Sequence, residues 1–96
     1  FKRIKDSMMA TPVIVCCLKG IDAVRIVRAM AGVTNGRDAA PGTIRGDYSV
    51  SVQENIIHAS DSHETATIEL KRFFKKEEIF DYTMNQLNFL YANDEI

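Results

Sequence analysis

The sequence predicts a single α+β domain over residues 1–96, and three features carry that reading. At 96 residues, 46% hydrophobic and 26% charged, the chain has the composition of one ordinary globular domain. The continuous β-branched apolar run Val13-Ile14-Val15-Cys16-Cys17-Leu18 is the pattern of a strand covered on both faces. Directly after it the period changes, and Ala23, Val24, Val27, Met30 and Ala31 fall on one helical stripe.

Each element follows from its own signals. Phe1 to Met9 reads as the end of a helix carrying Ile4, Met8 and Met9, closed by Pro12. Asp22 to Met30 reads as the helix of the stripe, with Arg25 and Arg28 off its centre and Gly32 as its stop. Residues 32–47 then hold four of the five glycines, one proline and two arginines. Loops of that length without structure are uncommon in compact domains and are functional or disordered, so a short turn or helix is expected around Thr43 to Tyr48. Val50, Val52, Ile56 and Ile57 lead into a second strand that ends at or just before His58. Asp61 or Ser62 caps the next helix, with Glu64 placed for a capping box with Asp61. Ala66, Leu70, Phe73 and Phe74 form its core face, and Glu69 lies on the line running back through Thr65 and Ser62. Lys75 to Tyr82 reads as a short amphipathic turn, and the tail to Ile96 is expected to pack on this chain or on a neighbouring subunit.

Charge and composition narrow the partners. A net charge of -1 argues against nucleic acid, whose binders carry a strongly basic face. The apolar run from Pro12 to Leu18 is far short of the roughly 20 residues a membrane helix needs, and no signal-peptide pattern follows Lys2, Arg3, Lys5 and Asp6. Cys16 and Cys17 are adjacent in a strand-like run, point to opposite faces and are poorly placed to pair. They read as reduced, buried thiols in a cytoplasmic setting.

The chemistry centres on Asn55-Ile56-Ile57-His58-Ala59-Ser60-Asp61-Ser62. A histidine at the end of an apolar run is most often a satisfied core residue, but one held at a strand-to-helix junction beside hydroxyls and a carboxylate is also placed to be a nucleophile. The upstream loop favours the second reading. Arg28, Arg37 and Arg45 are forked, permanently charged donors suited to phosphate oxygens. Thr34 and Thr43 add hydroxyls, and glycine-rich backbone adds amide donors. A metal site is not expected: His58, Asp61 and His63 match no zinc spacing. No Walker loop or Gly-x-Gly-x-x-Gly occurs, and neither cysteine sits in a polar setting that would make it catalytic.

With the loop Gly32-Val33-Thr34-Asn35 through Pro41-Gly42-Thr43-Ile44-Arg45-Gly46-Asp47, this segment resembles the nucleoside diphosphate kinase family, and the resemblance runs from about Phe1 to Tyr82. It implies a ferredoxin-like α/β sandwich with an antiparallel sheet. It implies that His58 is the phosphorylated histidine and that Ser60 and Glu69 orient its ring. Arg28, Thr34 and Arg45 would contact the nucleotide phosphates, Asn55 would face the sugar and phosphate end, and Val52 would pack on the base. The implied reaction is ping-pong transfer of the γ-phosphate between nucleoside tri- and diphosphates, with Mg²⁺ carried on the nucleotide. Homo-oligomers, tetrameric or hexameric, are implied through the loop 32–47.

The departures are also informative. The resemblance covers the C-terminal two-thirds of the family domain. The family's first strand, first helix pair, phosphate-contacting lysine, active-site tyrosine and base-stacking phenylalanine have no counterpart here. In the family's sheet the first strand lies between the third and fourth, and the third and fourth are the two strands predicted here. The expectation is a piece of a longer protein, or one completed from outside, with unpaired backbone along the gap. Ala59 stands where glycine is usual, Gly36 where proline is frequent and Lys19 where glutamate is usual. A non-catalytic nucleotide-binding or assembly fragment is the alternative to an enzyme.

Overall fold

The structure is a computed structural model that describes Asp6, residues 9–92, Asp94 and Glu95. The helix expected over Phe1 to Met9 falls largely on residues outside the described ones. Among the described residues the elements are α1 (Ala23–Ala31), α2 (Ile44–Tyr48), α3 (His63–Phe73), a 3-10 turn (Lys76–Glu78) and α4 (Leu87–Leu90).

The two predicted strands do not form among the described residues. A strand exists through its ladder, and no described backbone hydrogen bond involves residues 13–18. The run meant to be covered on both faces is open, with Ile14 92% exposed. Cys16 and Cys17 are free but exposed, correcting the expectation of buried thiols: their burial depended on neighbours that do not lie beside them here. Residues 51–58 keep a trace of the strand pattern. Ser51, Gln53, Asn55 and Ile57 are half-buried and the residues between them exposed, the period of two of an extended chain covered on one side.

Every buried described residue instead lies in one short stretch: Ala31, Gly36, Ala39, Arg45 and Ser49. Backbone capping builds it. α1 turns Ala23, Val24, Val27 and Ala31 inward, while Met30, expected on that stripe, is exposed. Gly32 stops the helix at φ 89°, its N–H donating to the Arg28 carbonyl. There a Cβ would stand 2.6 Å from Thr43 Oγ1. Thr43 caps α2 by accepting from the Gly46 N–H at 3.0 Å, and Asp47 accepts from the Gly42 N–H at 2.8 Å. The loop closes on the next segment where the Gly36 N–H donates to the Ser51 carbonyl at 3.1 Å and Arg37 Nη1 to the Val50 carbonyl at 2.9 Å. The buried Ser49 hydroxyl donates to the Ser51 and Glu54 carbonyls.

Downstream, Ser62 rather than Asp61 caps α3, accepting from the Thr65 N–H at 3.0 Å. The capping box through Glu64 therefore does not form, since Thr65 occupies the third position. The inward stripe is Ser62, Thr65, Ala66, Glu69 and Leu70, and Phe73, expected in the core, is 52% exposed. The tail folds back on this chain: Lys19 pairs with Asp81 at 3.3 Å, and Tyr91 lies beside Gly20. That ion pair is solvent-exposed and contributes little.

The consequence is a large surface. The chain exposes 8448 Å², against roughly 5,500 Å² for a compact monomer of this mass. The radius of gyration is 15.6 Å, against about 12.5 Å for a compact domain of this length.

The loop's packing predicts an asymmetry between two glycines. At Gly46 a Cβ would lie 2.0 Å from the Ala40 carbonyl oxygen, so Gly46→Ala should lower stability by roughly 2 kcal/mol or more. At Gly42 nothing lies within 4 Å but φ is +93°, so Gly42→Ala should cost only about 1–2 kcal/mol of backbone strain. Urea midpoints measure both, and an equal or reversed ranking contradicts the packing described.

Candidate active site

The site is built where residues 55–60 meet α3. Ile56 has φ 76°, and the Ile57 N–H donates to the Asn55 carbonyl at 2.8 Å, a three-residue γ-turn with its centre in the left-handed region. For a β-branched residue this backbone is strained by about 1–3 kcal/mol. The turn reverses the chain just before His58 and leaves that side chain 61% exposed.

α3 brings the partner. Its inward stripe carries Glu69, whose side chain is 19% exposed. Glu69 Oε1 lies 2.8 Å from His58 Nε2, and Oε2 accepts from the Ser60 hydroxyl at 2.5 Å. The Ser60 hydroxyl foremost, and His58 after it, hold the Glu69 carboxyl below its ordinary range against the opposing effect of burial. An ionised carboxylate only accepts hydrogen bonds, so His58 Nε2 carries the proton that it donates. In the neutral ring Nδ1 is then the nitrogen with a free lone pair.

The loop closes on the site from the other side. Arg45, 7% exposed, donates through Nε to the Asn55 carbonyl at 3.3 Å and through Nη1 to the Gly32 carbonyl at 2.9 Å. Its Nη2 donates to the Ile57 carbonyl at 2.5 Å. Burial first, and the charge of Arg28 second, lower its pKa. Arg28 reaches from α1 to the Ala59 carbonyl at 3.2 Å, which places a cation next to the His58 segment. The Asn55 amide donates to the Thr34 carbonyl at 3.1 Å. The Thr34 side chain is exposed, and Val52 is 48% exposed. Asp61 has its carboxyl lowered chiefly by the Thr65 hydroxyl, with Arg28 contributing.

Thus His58, Ser60 and Glu69 meet directly, and Arg28, Thr34, Arg45 and Asn55 frame them through backbone carbonyls. Arg37 and Thr43, read as phosphate donors, are engaged on the Val50 carbonyl and in the α2 cap. The contributions of Ile56 and Ser49 were missed. Nothing in an Ile-Ile pair signals a positive φ, and a serine beside valines looks like a strand residue. An open depression of about 410 Å³ is lined by Arg28, Ala29, Gly32, Val33, Ala40 and Thr43. Its walls do not include His58, Ser60 or Glu69. Among the described residues no three His, Cys, Asp or Glu side chains gather as a metal cage, and no helix is long and apolar enough to cross a membrane.

A family model described as nucleoside diphosphate kinase matches residues 1–79. The chain belongs to the nucleoside diphosphate kinase family. A nucleoside diphosphate kinase of Parabacteroides distasonis is 72% identical over 95 residues, 99% of this chain and 62% of its own length. One from Pyrococcus horikoshii is 53% identical over 85 residues, covering 85% of this chain and 54% of the relative. Among solved structures, the Halobacterium salinarum nucleoside diphosphate kinase in complex with CDP aligns with a TM-score of 0.73 at 40% identity, over 76% of this chain and 49% of that one. A Borrelia burgdorferi transition-state mimic of the enzyme, with bound vanadate and ADP, aligns at 0.66 and 35% identity, over 70% and 46%. The chain has the fold of these neighbours over the aligned part, and it spans 62% and 54% of the length of the two curated relatives named above.

In this chain the depressed Glu69 carboxyl makes a pH-dependent contribution of known sign. Its ionised form stabilises the fold above the ordinary glutamate value of about 4.3, and the contribution is lost as pH falls through the lower folded value. Glu69→Gln should therefore be less stable than the parent at pH 7, with the gap closing as pH is lowered below about 4. Urea denaturation across that range measures it, and a constant gap would contradict the assignment.

Proposed function

We propose that this chain carries the phosphoryl-transfer centre of a nucleoside diphosphate kinase, in which His58 takes the γ-phosphate of a nucleoside triphosphate and returns it to a nucleoside diphosphate. The observation that carries this reading is the Ser60–Glu69–His58 array, which fixes the protonated nitrogen of the ring and leaves Nδ1 as the nucleophile. In the first half-reaction the Nδ1–phosphorus bond forms as the bond to the bridging β–γ oxygen breaks, and the nucleoside diphosphate leaves with that electron pair. The second half-reaction runs the same exchange in reverse onto another diphosphate. Positive charge accumulates on the ring as Nδ1 is phosphorylated, and the Glu69 carboxylate on Nε2 offsets it.

The surrounding residues supply binding. Arg28, and the N–H groups of Arg45 outside its carbonyl bonds, meet phosphate oxygens, with the Thr34 hydroxyl beside them. Asn55 faces the sugar and phosphate end, and the exposed Val52 offers an apolar surface to the base. That relatives were solved with CDP and with ADP and vanadate supports nucleotides of different bases as substrates. Mg²⁺, carried with the nucleotide as in the family, would supply neutralisation of the triphosphate charge. The large exposed apolar surface supports assembly into a homo-oligomer.

Incubating the purified chain with Mg²⁺ and γ-labelled ATP should give acid-labile, alkali-stable phosphate on His58, and His58→Ala should give none. A folded, assembled chain that stays unlabelled would overturn the catalytic reading in favour of a non-catalytic nucleotide-binding or assembly fragment. Label persisting in His58→Ala would overturn the assignment of the nucleophile.

A further inference from the structure

We infer that Arg45 is a positioning residue for His58: its guanidinium grips the carbonyls on both sides of the Ile56 turn and sets where the imidazole stands before any nucleotide arrives. The inference rests on the reading of His58 as the phosphoryl carrier and adds to Arg45 a role separate from phosphate contact.

Three features carry it. The acceptors are not arbitrary, because the Asn55 and Ile57 carbonyls bracket the one turn that aims His58, and the Ile57 carbonyl belongs to the peptide joined to His58 itself. The turn also needs holding. Ile56 sits at φ 76°, and no strand ladder runs along residues 50–58, so neighbouring strands do not restrain it. Finally, the same cation holds the Gly32 carbonyl at the end of α1, the helix that carries Arg28, so His58 and Arg28 are referenced to one buried point. A guanidinium has five N–H donors in a rigid fork. Three are on these carbonyls, and two remain for a phosphate. A lysine ammonium at the same place has no such fork and cannot span three carbonyls on separate segments.

Phosphoramidate, a small phosphodonor without a nucleoside, separates positioning from nucleotide binding. Arg45→Lys and Arg45→Ala, checked for folding by circular dichroism, should be labelled on His58 by phosphoramidate at least about tenfold more slowly than the parent. Millimolar guanidinium chloride should restore part of the Arg45→Ala rate where equal sodium chloride does not. Unchanged phosphoramidate labelling with loss only of ATP-dependent labelling would overturn the inference and leave Arg45 as a phosphate contact. Should the variants not fold, the parent decides. With ¹⁵N-labelled arginine, the Arg45 guanidinium protons should exchange slowly without nucleotide and stay protected with ADP and vanadate bound. Fast exchange in the free chain, or loss of protection on binding, overturns the clamp. If neither donor labels His58 in the parent, the kinase reading fails, while the exchange measurement still decides whether the clamp exists.

Discussion

One buried cation surrounded by carbonyl oxygens is the constraint on which the rest of this chain depends. The apolar residues that normally organise a domain are mostly open to solvent, and only Ala31 and Ala39 are buried apolar side chains among those described. Arg45 is buried in the same stretch and joins the end of α1 to both sides of the turn before His58. Burying a guanidinium is costly, and here burial and Arg28 both work against the charge. Three charge-assisted hydrogen bonds, each worth about 1.5–3 kcal/mol, offset that cost. They also satisfy carbonyls that no strand covers.

From that point order passes outward to the chemistry. The γ-turn at Ile56 reverses the chain, His58 stands exposed beyond it, and α3 supplies Glu69 from an independent element capped by Ser62. Glu69 then joins ring and hydroxyl into one array. The histidine is thus held from behind by backbone and from the side by a carboxylate, so its orientation does not rely on the apolar surface that the chain leaves open. Preorganised positioning of this kind is the chief contribution a protein makes to phosphoryl transfer.

Much of the site was legible in the sequence because its residues are local. Gly32 and Ser62 are a helix stop and a helix cap with recognisable local signals, whereas Thr43, read as a phosphate donor, serves as the cap of α2; α1, α2 and α3 form within a residue or two of where they read. Ser62, Thr65 and Glu69 fall on one helical line, so spacing alone turns Glu69 toward the histidine's end of the helix, while its pairing with Ser60 and His58 came from the family resemblance and is a tertiary meeting of two segments. The strands were not legible in the same way. Val13 to Leu18 and Val50 to Ile57 have strand composition, yet a strand is a relation between segments, and neither segment has a paired strand among the described residues. The same reason leaves Cys16, Cys17 and Phe73 exposed where burial was expected. The turn at Ile56 was hidden for another reason: its left-handed backbone is imposed by tertiary hydrogen bonds on a residue whose own preference opposes it.

The most direct measurement is the tautomer of His58 in the nucleotide-free chain at neutral pH, read from the ring-nitrogen shifts in ¹⁵N-labelled protein. An ionised Glu69 accepting from Nε2 predicts a proton on Nε2 and a bare Nδ1. A ring protonated on Nδ1 would contradict the central claim, because the nitrogen proposed to attack phosphorus would already be occupied.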